Sequence, residues 1–386
     1  MSFSEKLQAI EAVNQLRQLS PPLQRRGAML RIENSLLVNF ASNDYLGLAE
    51  HPTIQDAATK AICKFGMGAG SARLVTGNLV PNQKLEAQLE AYFGRSALLF
   101  NSGYAANSGI IPAITDEDCV VFSDSHNHAS IIDGCRLSRA RVEIFAHNDL
   151  VELTKKLSQC EPGKQKWVIT ESVFSMGGDL APLSSLDALA KKHSAKLYVD
   201  EAHAIGWAGG GPGLSEACGV TPEVVVGTFG KALGSYGAFC LGQAPLIKLL
   251  LNRARTFVFS TGLPPSVVAA SSAALGLIEY DGKNLQARLS RNCRLLAQRL
   301  EELGIPSSAD SPIFPIPTGT EERGMAIAAD LQRSGFYCQA IRPPTVPLGT
   351  SRLRATIRAD HEEGQIHAFC DALGRSLFHV EHFATP

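Results

Sequence analysis

The sequence lacks the cysteine pattern of a disulfide-stapled or zinc-bound fold. Its nine cysteines are scattered, their number is odd, and none is spaced as C-x-x-C. A disulfide framework or a structural zinc site is therefore not expected. The pattern indicates buried, reduced thiols in a cytoplasmic protein.

Strong charge of one sign and long apolar runs are also missing. The 386 residues carry a net charge of -1, so no overall field attracts nucleic acid or an anionic membrane. The N-terminal segment is polar and has no apolar core of a signal peptide. The apolar stretch 266–278 is too short to span a bilayer and predicts a core helix. We therefore expect no nucleic-acid or membrane partner.

Common nucleotide and metal motifs are absent as well. The glycine-rich segments 68–71 and 209–213 do not follow a strand in the form G-x-G-x-x-G, and there is no P-loop. His126 and His128 form an H-x-H pair, but no third ligand follows at a standard spacing, and no H-E-x-x-H helix is present. Metal catalysis and a dinucleotide site are not expected.

Strand-length apolar runs alternate with helical stretches from about Leu46 onward. This alternation predicts an α/β domain with a largely parallel sheet covered on both faces. After Tyr280 the pattern changes to a charged amphipathic helix, Pro-rich strands and a last helix beyond Asp360, which is typical of a smaller α+β domain. The predicted division is an N-terminal arm (1–45), a large domain (46–280) and a C-terminal small domain (281–386).

Polar residues follow several of these apolar runs. In parallel α/β sheets, ligands bind beyond the carboxyl ends of the strands. The residues that the sequence places at such ends are Ser102, Gly103, Tyr104, Ser175, Asp200, His203, Thr228 and Lys231.

Asp200 and Lys231 suggest one particular cofactor. A buried carboxylate needs a cationic partner, and the pyridine nitrogen of pyridoxal 5′-phosphate (PLP) is one. A buried lysine of lowered pKa is nucleophilic toward an aldehyde. Each residue alone has a simpler interpretation, because Asp commonly caps helices and Lys is usually solvated. Together with His203, however, the pair is far more specific.

Phosphate binding is predicted around two segments. Thr228 stands three residues before Lys231, among Gly227, Gly230 and Gly234, where backbone can approach a phosphate closely. The segment SGYAAN (102–107) lies where a strand gives way to a helix, and backbone N–H groups at a helix start bind phosphate. By itself this second segment is more often only a turn.

Six segments, in their order, resemble the α-oxoamine synthases, a PLP-dependent family. They are SNDYLGL (42–48), SGYAAN (102–107), TESVFSMGGD (170–179), DEAH (200–203), TFGKALG (228–234) and AIRPPTVPLGTSRLR (340–354). The resemblance covers essentially the whole chain. It implies a fold-type-I PLP-dependent transferase, with a mostly parallel seven-stranded sheet in the large domain and a smaller α+β domain.

The resemblance also implies cofactor contacts. Lys231 would hold PLP as a Schiff base, and Asp200 would pair with its pyridinium nitrogen. Ser175 and His203 would bind the phenolic oxygen, and His128 would stack on the ring. Gly103, Tyr104 and Thr228 would hold the phosphate, and Ser260 and Thr261 would reach the phosphate of the partner subunit in a homodimer with shared sites.

Substrate contacts are implied for a further set, namely Arg17, Asn43, His128, Arg342, Thr345 and Arg354. The arginine fork suits a substrate carboxylate, since it binds both oxygens. Alternation of Arg352, Arg354 and Arg358 also fits a solvent-facing strand edge, and only Arg354 fills the matching motif position.

The implied reaction is a decarboxylative condensation of an amino acid with an acyl thioester. The tail motif is most similar to the family members that use L-alanine and a pimeloyl thioester of coenzyme A or a carrier protein. A sister activity, such as glycine with acetyl-CoA, is the alternative. SMGGD and DEAHAIGW depart from the family's usual S-M-D-G-D and D-E-A-H-S-T-G-V. These departures put the fit of the acyl chain in doubt more than the binding of PLP.

Two functions of other classes are also considered. A non-catalytic PLP-binding regulator would be expected to carry a basic DNA-binding extension. A plain structural α/β protein requires the convergence of Asp200, His203 and Lys231 to be accidental.

Overall fold

A computed structural model describes residues 2–12, 16, 17, 19, 21 and 23–383. By their contacts these residues form two units. The larger unit comprises Leu46–Ser175 and Asp179–Ala287. The smaller unit comprises the described residues up to Tyr45, Met176–Gly178 and those from Arg288 onward. The three-part division at residues 45 and 280 stays a prediction.

A seven-stranded sheet forms the centre of the larger unit. Its strands are β4 (Ser96–Phe100), β5 (Cys119–Asp124), β6 (Arg141–Phe145), β7 (Gln165–Glu171), β8 (Ala195–Asp200), β9 (Val224–Thr228) and β10 (Ala238–Gly242). Their order is β4-β10-β9-β8-β7-β5-β6. Only β10 runs antiparallel to its neighbours, β4 and β9, while the other pairs within the sheet are parallel. The predicted mostly parallel seven-stranded sheet is therefore confirmed.

The larger unit also contains helices, several of which pack on this sheet. They are α2 (Pro52–Phe65), α3 (Val80–Phe93), α4 (Gly103–Ile114), α5 (Ala129–Leu137), α6 (Leu150–Gln159), α7 (Leu183–Lys192), α8 (Leu214–Ala217), α9 (Ala244–Arg253) and α10 (Arg255–Val258). Every residue of β5, β9 and β10 is buried, which requires cover on both faces because successive side chains point to opposite sides. Side chains from α4, α5, α9 and α10 pack with the strands in one apolar cluster.

The smaller unit contains two small sheets. One has the order β1-β2-β3-β12 and the other β11-β14-β13. The strands are β1 (Leu23–Arg26), β2 (Met29–Ile32), β3 (Ser35–Asn39), β11 (Ile313–Gly319), β12 (Phe336–Tyr337), β13 (Gln339–Ile341) and β14 (Ser351–Thr356). Its helices are α1 (Phe3–Ala12), α12 (Glu321–Arg333) and α13 (Glu363–Phe383).

One long helix, α11 (Pro265–Glu302), replaces two segments that the sequence suggests are separate. The apolar stretch 266–278 and the charged helix that follows are continuous, and Gly282 lies inside the helix. A glycine in a helix interior costs about 1 kcal/mol, which the many buried side chains of this helix outweigh. In the described part of the chain, no helix combines the length and apolar character needed to cross a membrane.

Gly178, the second glycine of SMGGD, is required by its backbone. Its φ is 70°, and an added Cβ would overlap the carbonyl oxygen of Ile313 and lie 2.8 Å from Ser311 Oγ. We predict that Gly178→Ala lowers the free energy of unfolding by about 2–4 kcal/mol, because left-handed strain and steric overlap add. Urea denaturation measures this change.

Gly163→Ala is the matched control for this prediction. Gly163 also has a positive φ, 85°, but an added Cβ there meets open space. It should lose only the strain term, about 1 kcal/mol. Equal losses in the two variants would contradict the steric explanation.

Candidate active site

A cavity of about 300 Å³ lies at the carboxyl ends of the central strands of the larger unit. Glu171, Asp200 and Thr228 are the last residues of β7, β8 and β9, and all three line it. Because these strands are parallel, their ends meet at one edge of the sheet. The other lining residues are Ser102, Gly103, Tyr104, Asn107, His128, Ser130, Ala202, His203, Gly230, Lys231, Tyr236 and Gly237.

Asp200 is buried and firmly oriented. Its Oδ2 accepts a hydrogen bond from Asn107 Nδ2 at 2.6 Å, and its Oδ1 accepts one from the backbone N–H of Ala202 at 2.8 Å. Asn107 is fixed in turn by Tyr198, whose hydroxyl donates to Asn107 Oδ1 at 2.6 Å. Asp200 thus closes a turn rather than capping a helix, and it also presents a carboxylate at the cavity. The roles of Asn107 and Tyr198 in supporting Asp200 were not predicted from the sequence.

Glu171 is a second buried carboxyl group at this cavity, which the sequence analysis also missed. The pKa of Glu171 is raised to about 8, mainly by burial and also by the neighbouring charge of Asp200, while Lys231 opposes the shift. Its Oε1 is buried and finds no hydrogen-bond partner among the described residues. Glu171 is therefore mostly protonated at neutral pH.

His128 precedes α5 and acts as its N-terminal cap. Its Nδ1 accepts the backbone N–H of Ser130 at 3.2 Å. Burial lowers the pKa of the ring, Asp200 raises it, and Lys231 lowers it again. The ring is accordingly neutral near pH 7. Since Nδ1 is an acceptor, the proton lies on Nε2.

The start of α4 and the end of β9 form an anion-binding corner. Ser102 caps α4 by accepting the backbone N–H of Ala105 at 3.1 Å. An added Cβ on Gly103 would lie 2.9 Å from Thr228 Cγ2, so only glycine fits between helix and strand. Thr228 Oγ1 is buried and without a hydrogen-bond partner in the described part of the chain. A free hydroxyl beside helix-start N–H groups suits a phosphate.

Gly227, Gly230 and Gly234 were predicted to let the backbone come close to a phosphate, but two of them have another role. An added Cβ on Gly227 would overlap the ring of Phe239, its partner on β10. Gly234 has a φ of 61° and lies against the backbone of Leu48 and Ala49. Both glycines are required by packing. Gly230, in contrast, lines the cavity, and an added Cβ there would make only an ordinary contact, at 3.8 Å from the carbonyl oxygen of Ser235.

The remaining predicted cofactor residues, apart from Ser175, line one of two cavities. Tyr104, His203 and Lys231 line the first, and the Tyr104 hydroxyl is hydrogen-bonded to Asp133. Ser175 is half-buried just beyond β7 but is not among the described residues lining that cavity. Ser260 and Thr261 instead line a second, smaller cavity of the same unit.

The predicted substrate residues other than His128 belong to the smaller unit, and four of them are hydrogen-bonded to one another in two pairs. Arg17 Nη2 donates to Thr345 Oγ1 at 2.8 Å, and Arg354 Nη1 donates to Asn43 Oδ1 at 3.0 Å. Arg342 Nη2 donates to the carbonyl oxygen of Leu16 at 2.8 Å.

The alternative of a solvent-facing edge is wrong for two of the three arginines near β14. Arg358 is 2% exposed, and its guanidinium donates to both carboxylate oxygens of Asp360, at 2.7 and 2.8 Å. Arg354 is also buried. Only Arg352 is partly open to solvent.

The two histidines of the H-x-H pair have different surroundings. The His126 ring stacks on His147 with centroids 4.0 Å apart, whereas His128 lines the cavity. Among the described residues, no group of three or more His, Cys, Asp or Glu side chains is arranged to hold a metal ion.

The sequence is similar to those of known PLP-dependent enzymes and their relatives. The family model "Aminotransferase class I and II" matches residues 36–373. A protein of Anaeromyxobacter dehalogenans named 8-amino-7-oxononanoate synthase is 47% identical over 377 residues, which cover 96% of this chain and 94% of the relative.

Solved structures share the whole fold. Serine palmitoyltransferase from S. paucimobilis with a bound PLP–myriocin aldimine has a TM-score of 0.92 and 30% identity, covering 98% of this chain and 97% of the other. An 8-amino-7-oxononanoate synthase from Francisella tularensis has a TM-score of 0.77 and 26% identity, covering 89% and 99%. The chain therefore has the fold-type-I PLP-dependent transferase fold and belongs to the class I and II aminotransferase family, within its 8-amino-7-oxononanoate synthase group.

Proposed function

We propose that this chain is an acyltransferase of biotin biosynthesis that condenses L-alanine with a pimeloyl thioester. The products are 8-amino-7-oxononanoate, CO₂ and the free thiol. One observation carries the proposal: Asp200, Thr228 and Lys231 line a single cavity, in a chain 47% identical to a relative named for this product. The thioester is one of coenzyme A or of an acyl-carrier protein.

The residues of the cavity fit PLP. The phosphate would be bound by Thr228 Oγ1, Gly103, Tyr104 and the first N–H groups of α4. The Thr228 hydroxyl is buried without a hydrogen-bond partner among the described residues, and N–H groups at the start of a helix bind anions. Asp200 would pair with the ring nitrogen, and Lys231 would bind the aldehyde. His203 and Ser175 are proposed to bind the phenolic oxygen. When bound, PLP supplies a protonated ring that takes up the electron pair left at a deprotonated Cα.

The chain's own residues move the protons. Lys231 would remove the Cα proton of alanine, since it lines the cavity in which the substrate would bind. His128 is neutral near pH 7 with its proton on Nε2, so it would donate a hydrogen bond to the oxyanion that develops when the thioester carbonyl is attacked.

The paired polar residues of the smaller unit are proposed to bind substrate. Arg354 and Arg342 would bind the substrate carboxylate through charge-assisted hydrogen bonds. Asn43 accepts a hydrogen bond from Arg354, and Thr345 accepts one from Arg17. Asn43, Thr345 and Arg17 would orient the arginines and contact the substrate.

The proposal also includes a homodimeric assembly and a cytoplasmic location. A homodimer is proposed in which Ser260 and Thr261 reach the phosphate in the partner's site. These two residues line a cavity separate from that of Lys231, which fits a role toward a second site. We place the enzyme in the cytoplasm, where thiols stay reduced, since all nine cysteines are free.

Competition between substrates tests the proposal. Values of kcat/KM are measured for alanine and glycine, each with pimeloyl-CoA and with acetyl-CoA. We expect alanine with pimeloyl-CoA to exceed glycine with acetyl-CoA by about 100-fold or more, the range that a shaped pocket gives for small apolar differences. The reverse order would identify the sister activity, glycine C-acetyltransferase, and overturn the assignment.

A further inference from the structure

A charged bridge, Asp124–His147–Asp179, lies beside the candidate site in the larger unit. His147 Nδ1 is 3.0 Å from Asp124 Oδ1, and its Nε2 is 2.6 Å from Asp179 Oδ2. Both ring nitrogens face carboxylates, and a neutral imidazole can donate to only one of them. With both carboxyl groups ionised, only the protonated ring can donate to both of them.

Local packing fixes the His147 ring. It stacks on His126 with centroids 4.0 Å apart and meets the edge of Phe174 at 4.4 Å. His126 is the other titratable ring in contact with it. Burial lowers the pKa of His147, but hydrogen bonds and charge from Asp124 and Asp179 outweigh burial and raise it to about 9.

One end of the bridge holds the segment that carries His128. Asp124 is the last residue of β5 and is almost fully buried. Its Oδ1 accepts the backbone N–H of His126 at 2.8 Å, and its Oδ2 accepts that of Asn148 at 2.9 Å. Its carbonyl oxygen accepts the N–H of Asn127 at 3.2 Å. The turn leading into His128 is thus fastened to Asp124.

The other end holds the segment that carries Ser175. The carbonyl oxygen of Asp179 accepts the backbone N–H of Phe174 at 3.0 Å, and Val173 pairs with Leu180. Asn148 Nδ2 adds a hydrogen bond to the Leu180 carbonyl at 3.3 Å. The position of Asp179 therefore sets that of Phe174, the neighbour of Ser175.

We infer that His147 is a positioning residue, which holds the His128 and Ser175 segments at the spacing that PLP requires. The inference rests on the proposed function only for the identity of the cofactor. His147 does not line the cavity and acts through Asp124 and Asp179. Its positive charge is the element that joins two carboxylates which would otherwise repel each other.

The bridge gives this role a definite pH range. The folded-state pKa, about 9, is above the ordinary value of 6.5, so the charged bridge is intact below that range and is lost as pH rises through about 9. PLP binding should weaken over the same interval.

Binding of PLP to the full-length apoprotein tests the inference. Visible absorbance gives the affinity, and visible circular dichroism of the bound cofactor reports its orientation. His147→Gln is expected to weaken PLP binding about tenfold at pH 7.5, reduce the dichroism and flatten the change near pH 9. His367→Gln, which removes another histidine near a carboxylate, at 3.6 Å from Glu363, should match the wild type.

Asp179→Asn provides a second test that keeps the size of the side chain. Loss of one carboxylate lowers the pKa of His147, so the fall in PLP affinity should move to lower pH by about one unit. Wild-type affinity, dichroism and pH dependence in both variants would overturn the inference. These measurements need neither alanine nor an acyl donor. Failure of the proposed condensation therefore shows only in the kcat/KM comparison, and failure of the bridge only here.

Discussion

Replacing Lys231 by alanine is expected to reduce turnover by on the order of 10⁴-fold or more, because the amine would both bind the PLP aldehyde and move the substrate proton. The purified variant should also lose the visible absorbance band that PLP gives when joined to a lysine. Steady-state assays and a visible spectrum at pH 7.5 measure the two effects.

Lys60→Ala is the control for this variant. Lys60 pairs with Asp56 on the surface of α2, where loss of the amine should change neither quantity. A Lys231→Ala protein with the wild-type spectrum and turnover would show that another group performs both tasks.

Replacing Asp200 by asparagine is expected to lower kcat by on the order of 10³-fold, since it leaves a buried ring cation without its charged partner. The affinity for PLP should fall much less, because the phosphate contacts at Thr228 and α4 remain. Loss of the Asp200 charge also removes a cause that raises the pKa of Glu171. The diagnostic result is the difference between the kcat loss and the PLP affinity loss.

Asp118→Asn is the matched control for Asp200→Asn. Its carboxylate is exposed and pairs with Lys164 at 3.0 Å, so both parameters should stay at wild-type values. Equal losses of kcat and PLP affinity in Asp200→Asn would contradict a role at the ring nitrogen and would indicate a general disturbance of the cavity.

Local sequence patterns were enough to predict the cavity's main groups. Asp200 and Thr228 end apolar runs, and Lys231 follows within three residues, so strand direction alone brings them to one edge. The mostly parallel sheet also follows from the alternation of runs and helices. The run that forms β10 carries no signal of direction, however, so its antiparallel pairing was not predicted.

Supporting residues could not be predicted because they depend on distance in space. Asn107 reaches Asp200 across 93 positions of sequence, and Tyr198 reaches Asn107 across 91. His147 joins two carboxylates from separate segments, and nothing within its own neighbourhood indicates either partner. The role of Gly227 was misassigned for the same reason, since Phe239 comes to it only through strand pairing.

The most direct test of the proposed condensation follows the carboxyl carbon of alanine. Purified protein with PLP, L-alanine labelled with ¹³C at the carboxyl group and pimeloyl-CoA should yield 8-amino-7-oxononanoate that contains no label, together with ¹³CO₂ and one free thiol per product. Label retained in the product, or no product of this mass while glycine and acetyl-CoA are condensed, would contradict the account.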